Sequence, residues 1–337
     1  MLNRVFLRGM ITSTLILILA LGVCLPNHGI TMTQGEPGRC ILLSQSQNDL
    51  SNLSVAIYES YYSSTDARVR ESRTALISMF NWMNATVTVI NRTHILDGAL
   101  FAFELLVIPE GLGPFIENNL GEEAEEMIRE WLSLGGSFIG VRGSSTIAVT
   151  DSFFEGREEQ YDLGLVNGTT IGMPEIGHTL VTDIEVNREC TGPDLSDMPE
   201  AMSVLFRTGR YFVPDEGQEL ICIANYTFNN QPAMVAARYG DGNLFLSSPH
   251  FEYEENSDRD GTDYMDRYDD PDSEWPFLLR ICHWLIADSS TVQNVTTWGE
   301  TTTTTGDLEF PTEAIFLAGG IGVAVIIVLL AYLRRRQ

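Results

Sequence analysis

Three short stretches of this chain set chemically capable residues at telling intervals. In "LFLSSPHFEYEE" (244–255) an apolar run ends in Pro249, and His250 and Glu252 follow two residues apart. Alternate side chains of an extended segment share a side, so the Glu252 carboxylate can orient the His250 imidazole as a catalytic base. The plainer alternative is a surface histidine among scattered acids. In "GGSFIGVRGSSTIAV" (135–149) an apolar run enters a sharp small-residue turn. Several α/β hydrolytic folds raise a nucleophile on strained backbone at such a turn. Here the tip is Arg142, a guanidinium protonated at every relevant pH and no nucleophile. Ser144, and Ser145 after it, are the alternative hydroxyls. "PEG" (109–111) ends the preceding apolar run, which would place Glu110 and Gly111 beside Arg142 and Gly143 as candidate ligand-binding residues. Their backbone N–H groups would serve as an oxyanion cradle. An ordinary glycine turn competes with that reading.

The acidic run "NSDRDGTDYMDRYDDPDSE" (256–274) raises a second chemistry. Asn256, Asp258, Asp260 and Gly261 match positions 1, 3, 5 and 6 of an EF-type calcium loop, whereas Arg267 stands at position 12 in place of a bidentate acid. Asp263, Asp266 or Asp269 would complete a different calcium geometry, and a solvated acidic loop is the alternative. Calcium is the one cofactor this raises. Cys24 lies in the leading apolar segment, which leaves Cys40, Cys190, Cys222 and Cys282 as disulfide candidates. Cys222 and Cys282 sit in apolar runs and read equally well as buried thiols.

These residues need a scaffold, and the chain alternates short apolar runs with amphipathic ones. "LSVAIYES", "ATVTVIN", "ELLVIPEG" and "SFIGV" are predicted strands. Between them, 65–84 carries Val69, Leu76, Ile77, Phe80 and Met83 at helical spacing, with Thr65 or Asp66 as N-cap. "HILDGALFAF" makes a short helix, and "GEEAEEMIREWLSLGG" a longer one that ends at Gly135. Strands apolar on both faces predict an α/β fold: a doubly wound, flavodoxin-like, mostly parallel sheet with helices on both faces. Residues 151–245 are richer in strand signals, "GDG" (240–242) marks a hairpin, and "DSEWPFLLRICHWLIAD" closes the domain as a helix.

The α/β run from about 53 to 150, the elbow "GSFIGVRGSS" and the later "SSPHFE" together resemble class I glutamine amidotransferase-like domains, nearest to the biotin-protein-ligase N-terminal type. That family carries a cysteine nucleophile in a G-x-C-x-G elbow and a later H-P-E. The resemblance implies triad roles for His250 and Glu252, with Phe251 in place of the proline. It puts Arg142 at the nucleophile and Ser144 at the second glycine. A degenerate triad follows, and with it a non-catalytic binding or structural module. A bidentate anion site at Arg142, or an internal Arg142–Glu252 salt bridge, would then occupy the pocket, and the salt bridge is preferred. The alternative is a hydrolase or amidase that uses His250 and Glu252 with a serine or a metal-activated water.

The chain ends place this domain. Residues 1–29 join Arg4 and Arg8 to an apolar run, as a signal peptide or uncleaved signal anchor does. A polar leader (30–51) precedes the domain (52–290), and a Thr-rich stalk (291–313) follows it. Residues 314–333 are uncharged over a length of about 30 Å as a helix, enough to span a membrane once. Arg334–Arg336 follow at once in a basic tail (334–337), which predicts a cytoplasmic C-terminus and an extracellular domain at the plasma membrane. Sequons at Asn52, Asn84, Asn91, Asn167, Asn225 and Asn294 lie between the two apolar segments. A net charge of −26 argues against nucleic acid as a partner. It leaves a small anionic or amide ligand, or a surface protein.

Overall fold

Strands that are apolar on both faces have to be covered on both faces, and this requirement organises the chain. The computed structural model describes residues 49–177, 179–254 and 257–287. Strand β1 (Ser54–Tyr58) leads to helix α1 (Ala67–Trp82), then β2 (Thr86–Ile90), α2 (Arg92–Leu96), β3 (Leu105–Ile108), α3 (Gly113–Ser133), β4 (Ser137–Val141) and the single turn α4 (Gly143–Ile147). Seven strands come next: β5 (Val149–Phe154), β6 (Arg157–Gln160), β7 (Val166–Gly172), β8 (Leu180–Val186), β9 (Ala201–Phe206), β10 (Arg210–Pro214) and β11 (Ile221–Tyr226). The hairpin β12 (Pro232–Tyr239) and β13 (Gly242–Ser247) precedes the closing helix α5 (Trp275–Ala287).

Nine strands form the main sheet in the order β2-β1-β3-β4-β13-β12-β11-β8-β9. Alternate residues serve opposite cores. Val55, Ile57, Leu105, Val107 and Ile139 join the apolar faces of α1 and α5. Ala56, Tyr58, Leu106, Ile108 and Phe138 face α3 on the other side. The α/β expectation with helices on both faces therefore holds. The mostly parallel sheet does not: pairing is parallel from β2 to β13 and antiparallel from β13 to β9. Beyond β13 the strands join by turns and loops, and no covering helix intervenes to return the chain in the same direction. A second, four-stranded sheet, β10-β7-β5-β6, stands beside it.

Local chemistry explains the helix limits. The Asp66 side chain accepts the Arg68 N–H and caps α1. The buried stripe of α1 includes Leu76, Met79 and Phe80, each side chain worth about 1.5–3 kcal/mol on burial. Helix α3 begins earlier than expected, with Pro114 in its first turn, and breaks at Gly121 (φ 67°, ψ 159°). The predicted acidic start, Glu122 and Glu123, is the first turn after that break. "GDG" makes the predicted hairpin, with Tyr239 opposite Gly242 and Gly240 at φ 60°. Among the described residues no helix is long and apolar enough to cross a membrane. Segments 1–29 and 314–333, and most of the leader and the stalk, lie outside the described residues.

Candidate ligand-binding site

Strands β3, β4 and β13 are adjacent and parallel, so "PEG", the elbow and "SSPHFE" leave the sheet side by side. Arg142 sits at φ 54° and ψ −109°, a conformation rare outside glycine that costs about 1–3 kcal/mol. Neighbours hold it there. Its N–H donates to Ser247 O at 2.8 Å, and its carbonyl accepts from Thr146 N at 3.0 Å and from Ser145 Oγ at 2.5 Å. Both glycines of the turn are steric requirements. A Cβ on Gly140 would come within 2.9 Å of the Ser145 backbone, and one on Gly143 within 1.7 Å of Gly111 O. The predicted strand-to-helix elbow is thus present and packed against "PEG". It is the Gly111 carbonyl, not an N–H, that meets Gly143.

The side chains pair differently from expectation. Glu252 accepts from Ser72 Oγ at 2.6 Å and from Phe251 N at 3.1 Å, and its Oε1 lies 2.9 Å from His250 Nδ1. Burial pushes its carboxyl up, but His250, Ser72 and the backbone outweigh that and hold it below the ordinary carboxylate range. The preferred Arg142–Glu252 bridge is not formed. Arg142 Nε lies 3.3 Å from Glu110 Oε1 instead, since His250 and Ser72 already occupy Glu252. Glu110 is buried, and its Oε2 lies 3.6 Å from His250 Nε2 and 3.8 Å from Arg207 Nη1. One carboxylate therefore faces two guanidinium groups and an imidazole.

Three atoms at this junction, Glu110 Oε2, His250 Nε2 and Arg142 Nη1, are buried without a hydrogen-bond partner, as is Arg142 Nε. Burial lowers the pKa of Arg142, with Glu110 opposing that shift and Arg207 adding to it. Neither elbow serine reaches the imidazole. Ser144 Oγ accepts from Val141 N and donates to Ile108 O, each at 2.6 Å, so it ties the ends of β4 and β3 together. Ser145 Oγ is committed to the Arg142 carbonyl.

Above Arg142 opens a cleft of about 600 Å³, within the range of small-molecule sites. Gly111, Arg142 and Gly143 line its floor, while Arg68, Arg157, Arg207 and Arg210 surround it. Glu110, His250 and Glu252 lie behind that lining. Ser72, Arg207 and Arg210 were not evident from sequence. Ser72 carried a signal: it is a polar residue between Val69 and Leu76 on the buried stripe of α1. The two arginines leave β9 and enter β10, and their convergence depends on the sheet order alone.

The remaining candidates are dispersed. Both Asp260 oxygens accept backbone N–H groups, from Glu254 and Thr262, and Asp258 lies in the adjoining 3₁₀ turn. Among the described residues no group of three or more His, Cys, Asp or Glu side chains gathers as a metal site; Asp258, Asp260 and Asp263 lie among these residues and Asn256 outside them. Among the described residues Cys190, Cys222 and Cys282 are free thiols, and burial pushes Cys282 up to about 12. Asn52, Asn84 and Asn167 are exposed, Asn91 and Asn225 are half-buried, and Cys40 and Asn294 lie outside the described residues.

No protein family matches the sequence, and no curated protein matches it. Among solved structures, a glutamine amidotransferase is similar over 70% of this chain and 98% of its own, at 16% identity and a TM-score of 0.44. A cytoplasmic protein from Salmonella typhimurium LT2 is similar over 69% and 98%, at 12% identity and a TM-score of 0.43. A ThuA-like protein from Bacteroides uniformis is similar over 64% and 86%, at 8% identity and a TM-score of 0.42.

Proposed function

We propose that this domain is a non-catalytic, amidotransferase-like module that binds a small anion in the cleft above Arg142. One observation carries the reading. The elbow holds a buried guanidinium whose Nε and Nη1 lack hydrogen-bond partners, at the floor of a cleft lined by four further arginines. Glu110 is the one buried carboxylate shared by Arg142 and Arg207, and a carboxylate or phosphate entering the cleft supplies a further bidentate acceptor to its guanidinium groups. The position that would carry a nucleophile carries a cation, and no elbow hydroxyl reaches His250. The elbow together with the later H-x-E supports reading the module as one of the biotin-protein-ligase N-terminal type. The apolar segment 314–333 and the arginines after it support display at the cell surface on a single span.

The test is thermal unfolding of the purified full-length chain at constant ionic strength. Phosphate and malonate are each titrated against chloride. An anion that binds the folded state raises Tm with concentration by mass action. Arg142→Gln is expected to abolish the rise. Equal responses to chloride and phosphate would overturn the proposal. Enzymatic deglycosylation and protease protection on intact cells test the topology.

A second reading, hydrolysis through water activated by His250, rests on the orphaned His250 Nε2. Against it, the imidazole is fully buried and the Arg142–Glu110 pair caps it. Amide turnover that is lost in His250→Gln would support this second reading.

A further inference from the structure

The cleft has three kinds of wall, and together they describe a ligand more specific than an anion. We infer that it takes an anionic carbohydrate, a sugar bearing a carboxylate or phosphate; this rests on the anion-binding reading above.

The first wall is cationic against the character of the whole molecule. The chain has a net charge of −26 and only 20 basic residues, all of them arginines, yet five line this one cleft. Arg210 is half-buried among them. Its Nη1 donates to Ser152 Oγ at 2.6 Å and its guanidinium lies 4.9 Å from the Phe154 ring centroid. Among the described residues no carboxylate pairs with it. An oxyanion between Arg142 and Arg210 would meet two desolvated forks at once.

The second wall is a fixed apolar face. Phe115 and Leu112 line the cleft while 46% and 45% exposed. The Phe115 ring stacks on Tyr62 at 4.9 Å and 23°, and Tyr62 meets Tyr61 edge-on at 5.8 Å. The aromatic lip is therefore held in one orientation, and a flat C–H face of a sugar ring covers such a surface well.

The third wall supplies partners for hydroxyls. Glu155, Glu159, Thr146 and Tyr161 also line the cleft, and Tyr161 donates to Glu159 at 2.6 Å. Carboxylates and arginines in one cleft suit a ligand that both donates and accepts hydrogen bonds. A polyhydroxylated acid does both. Among the described residues no Asn or Gln lines the cleft, so none of them offers the amide edge that reads a nucleobase.

The experiment is calorimetric titration of the full-length chain with glucuronate, glucose 6-phosphate, glucose, AMP and inorganic phosphate. Glucuronate or glucose 6-phosphate is expected to bind at least about tenfold more tightly than phosphate, and the tighter of the two identifies the anionic group. Phe115→Ala should cost the sugar anion about tenfold while leaving phosphate unchanged. Leu112→Ser, on the same lip, should act in the same direction. Arg210→Gln should weaken both ligands. The inference falls if sugar anions bind no better than phosphate, if AMP binds most tightly, or if Phe115→Ala leaves the sugar anion unaffected. Failure of every anion, phosphate included, overturns the anion-binding reading itself.

Discussion

Oε1 of Glu110 lies 3.3 Å from Nε of Arg142, while the other oxygen of the same carboxylate faces the imidazole of His250. This pair joins two features that stand far apart in sequence, a strained elbow and an extended H-x-E. It also sets the charge of the cleft floor, because Arg142 and Arg207 share a single buried carboxylate.

Removing that carboxylate should therefore have two opposite effects. Glu110→Gln leaves buried guanidinium charge unpaired, with an expected loss of stability on the order of 3 kcal/mol. The same change frees Arg142 and Arg207 for an external anion. Urea unfolding with and without phosphate should show a larger stabilisation by phosphate in the variant than in the wild type. Equal phosphate increments would separate Glu110 from the binding site.

The elbow should still present a side chain for reaction. Arg142→Cys is expected to keep the fold, since a positive φ is already accommodated there. Its thiol should alkylate faster with iodoacetamide than Cys282, which is buried and pushed up to about 12. Intact-mass kinetics read this directly. An inert thiol in a folded variant would mean that position 142 does not face the cleft.

Ser72 links α1 to both halves of the site, since it donates to Glu252 and accepts from the Glu110 N–H. Ser72→Ala leaves both groups buried without this partner, at an expected cost of about 1–3 kcal/mol. A shift in the urea midpoint with an unchanged slope is the expected signature.

Acidification should stabilise the domain before it unfolds it. Burial pushes the buried Glu125 up to about 7 from an ordinary 4.5, and Asp260 and Asp270 up to about 6. Between the ordinary and the raised values the folded state binds more protons than the unfolded state. Stability therefore rises as pH falls through that window. Glu252, held low, acts with the opposite sign, and its contribution is lost only below the ordinary carboxylate range. Tm should be higher near pH 5 than near pH 8. Glu125→Gln should remove part of the difference, about 1 kcal/mol after solvent screening.

The first half of the fold was legible because buried strands and amphipathic helices write their burial into apolar periodicity. Strands β1, β3 and β4 and helix α1 all carry that pattern, whereas the edge strand β2 alternates Thr and Val yet is mostly exposed. The hairpin of β5 and β6 does not. Residues 151–160 hold Asp151, Glu155, Arg157, Glu158 and Glu159, because strands that face solvent need no apolar alternation. Those same residues supply one wall of the cleft, so its full lining was hidden as well.

The sequence by itself determined the elbow. Gly140 and Gly143 are glycines because backbone atoms approach closely there, and a strand running into a small-residue turn can be recognised locally. It also placed Glu110 and Gly111 beside the elbow and paired His250 with Glu252. Only the tertiary structure decided who pairs with whom. Ser72 and His250 claim Glu252, which leaves Glu110 to Arg142, and the connection from β9 of the main sheet to β10 of the second sheet brings Arg207 and Arg210 to the same cleft. The reason is physical: periodicity records which side of a strand is buried, whereas the partner of a buried charge depends on strand order, which no local pattern contains.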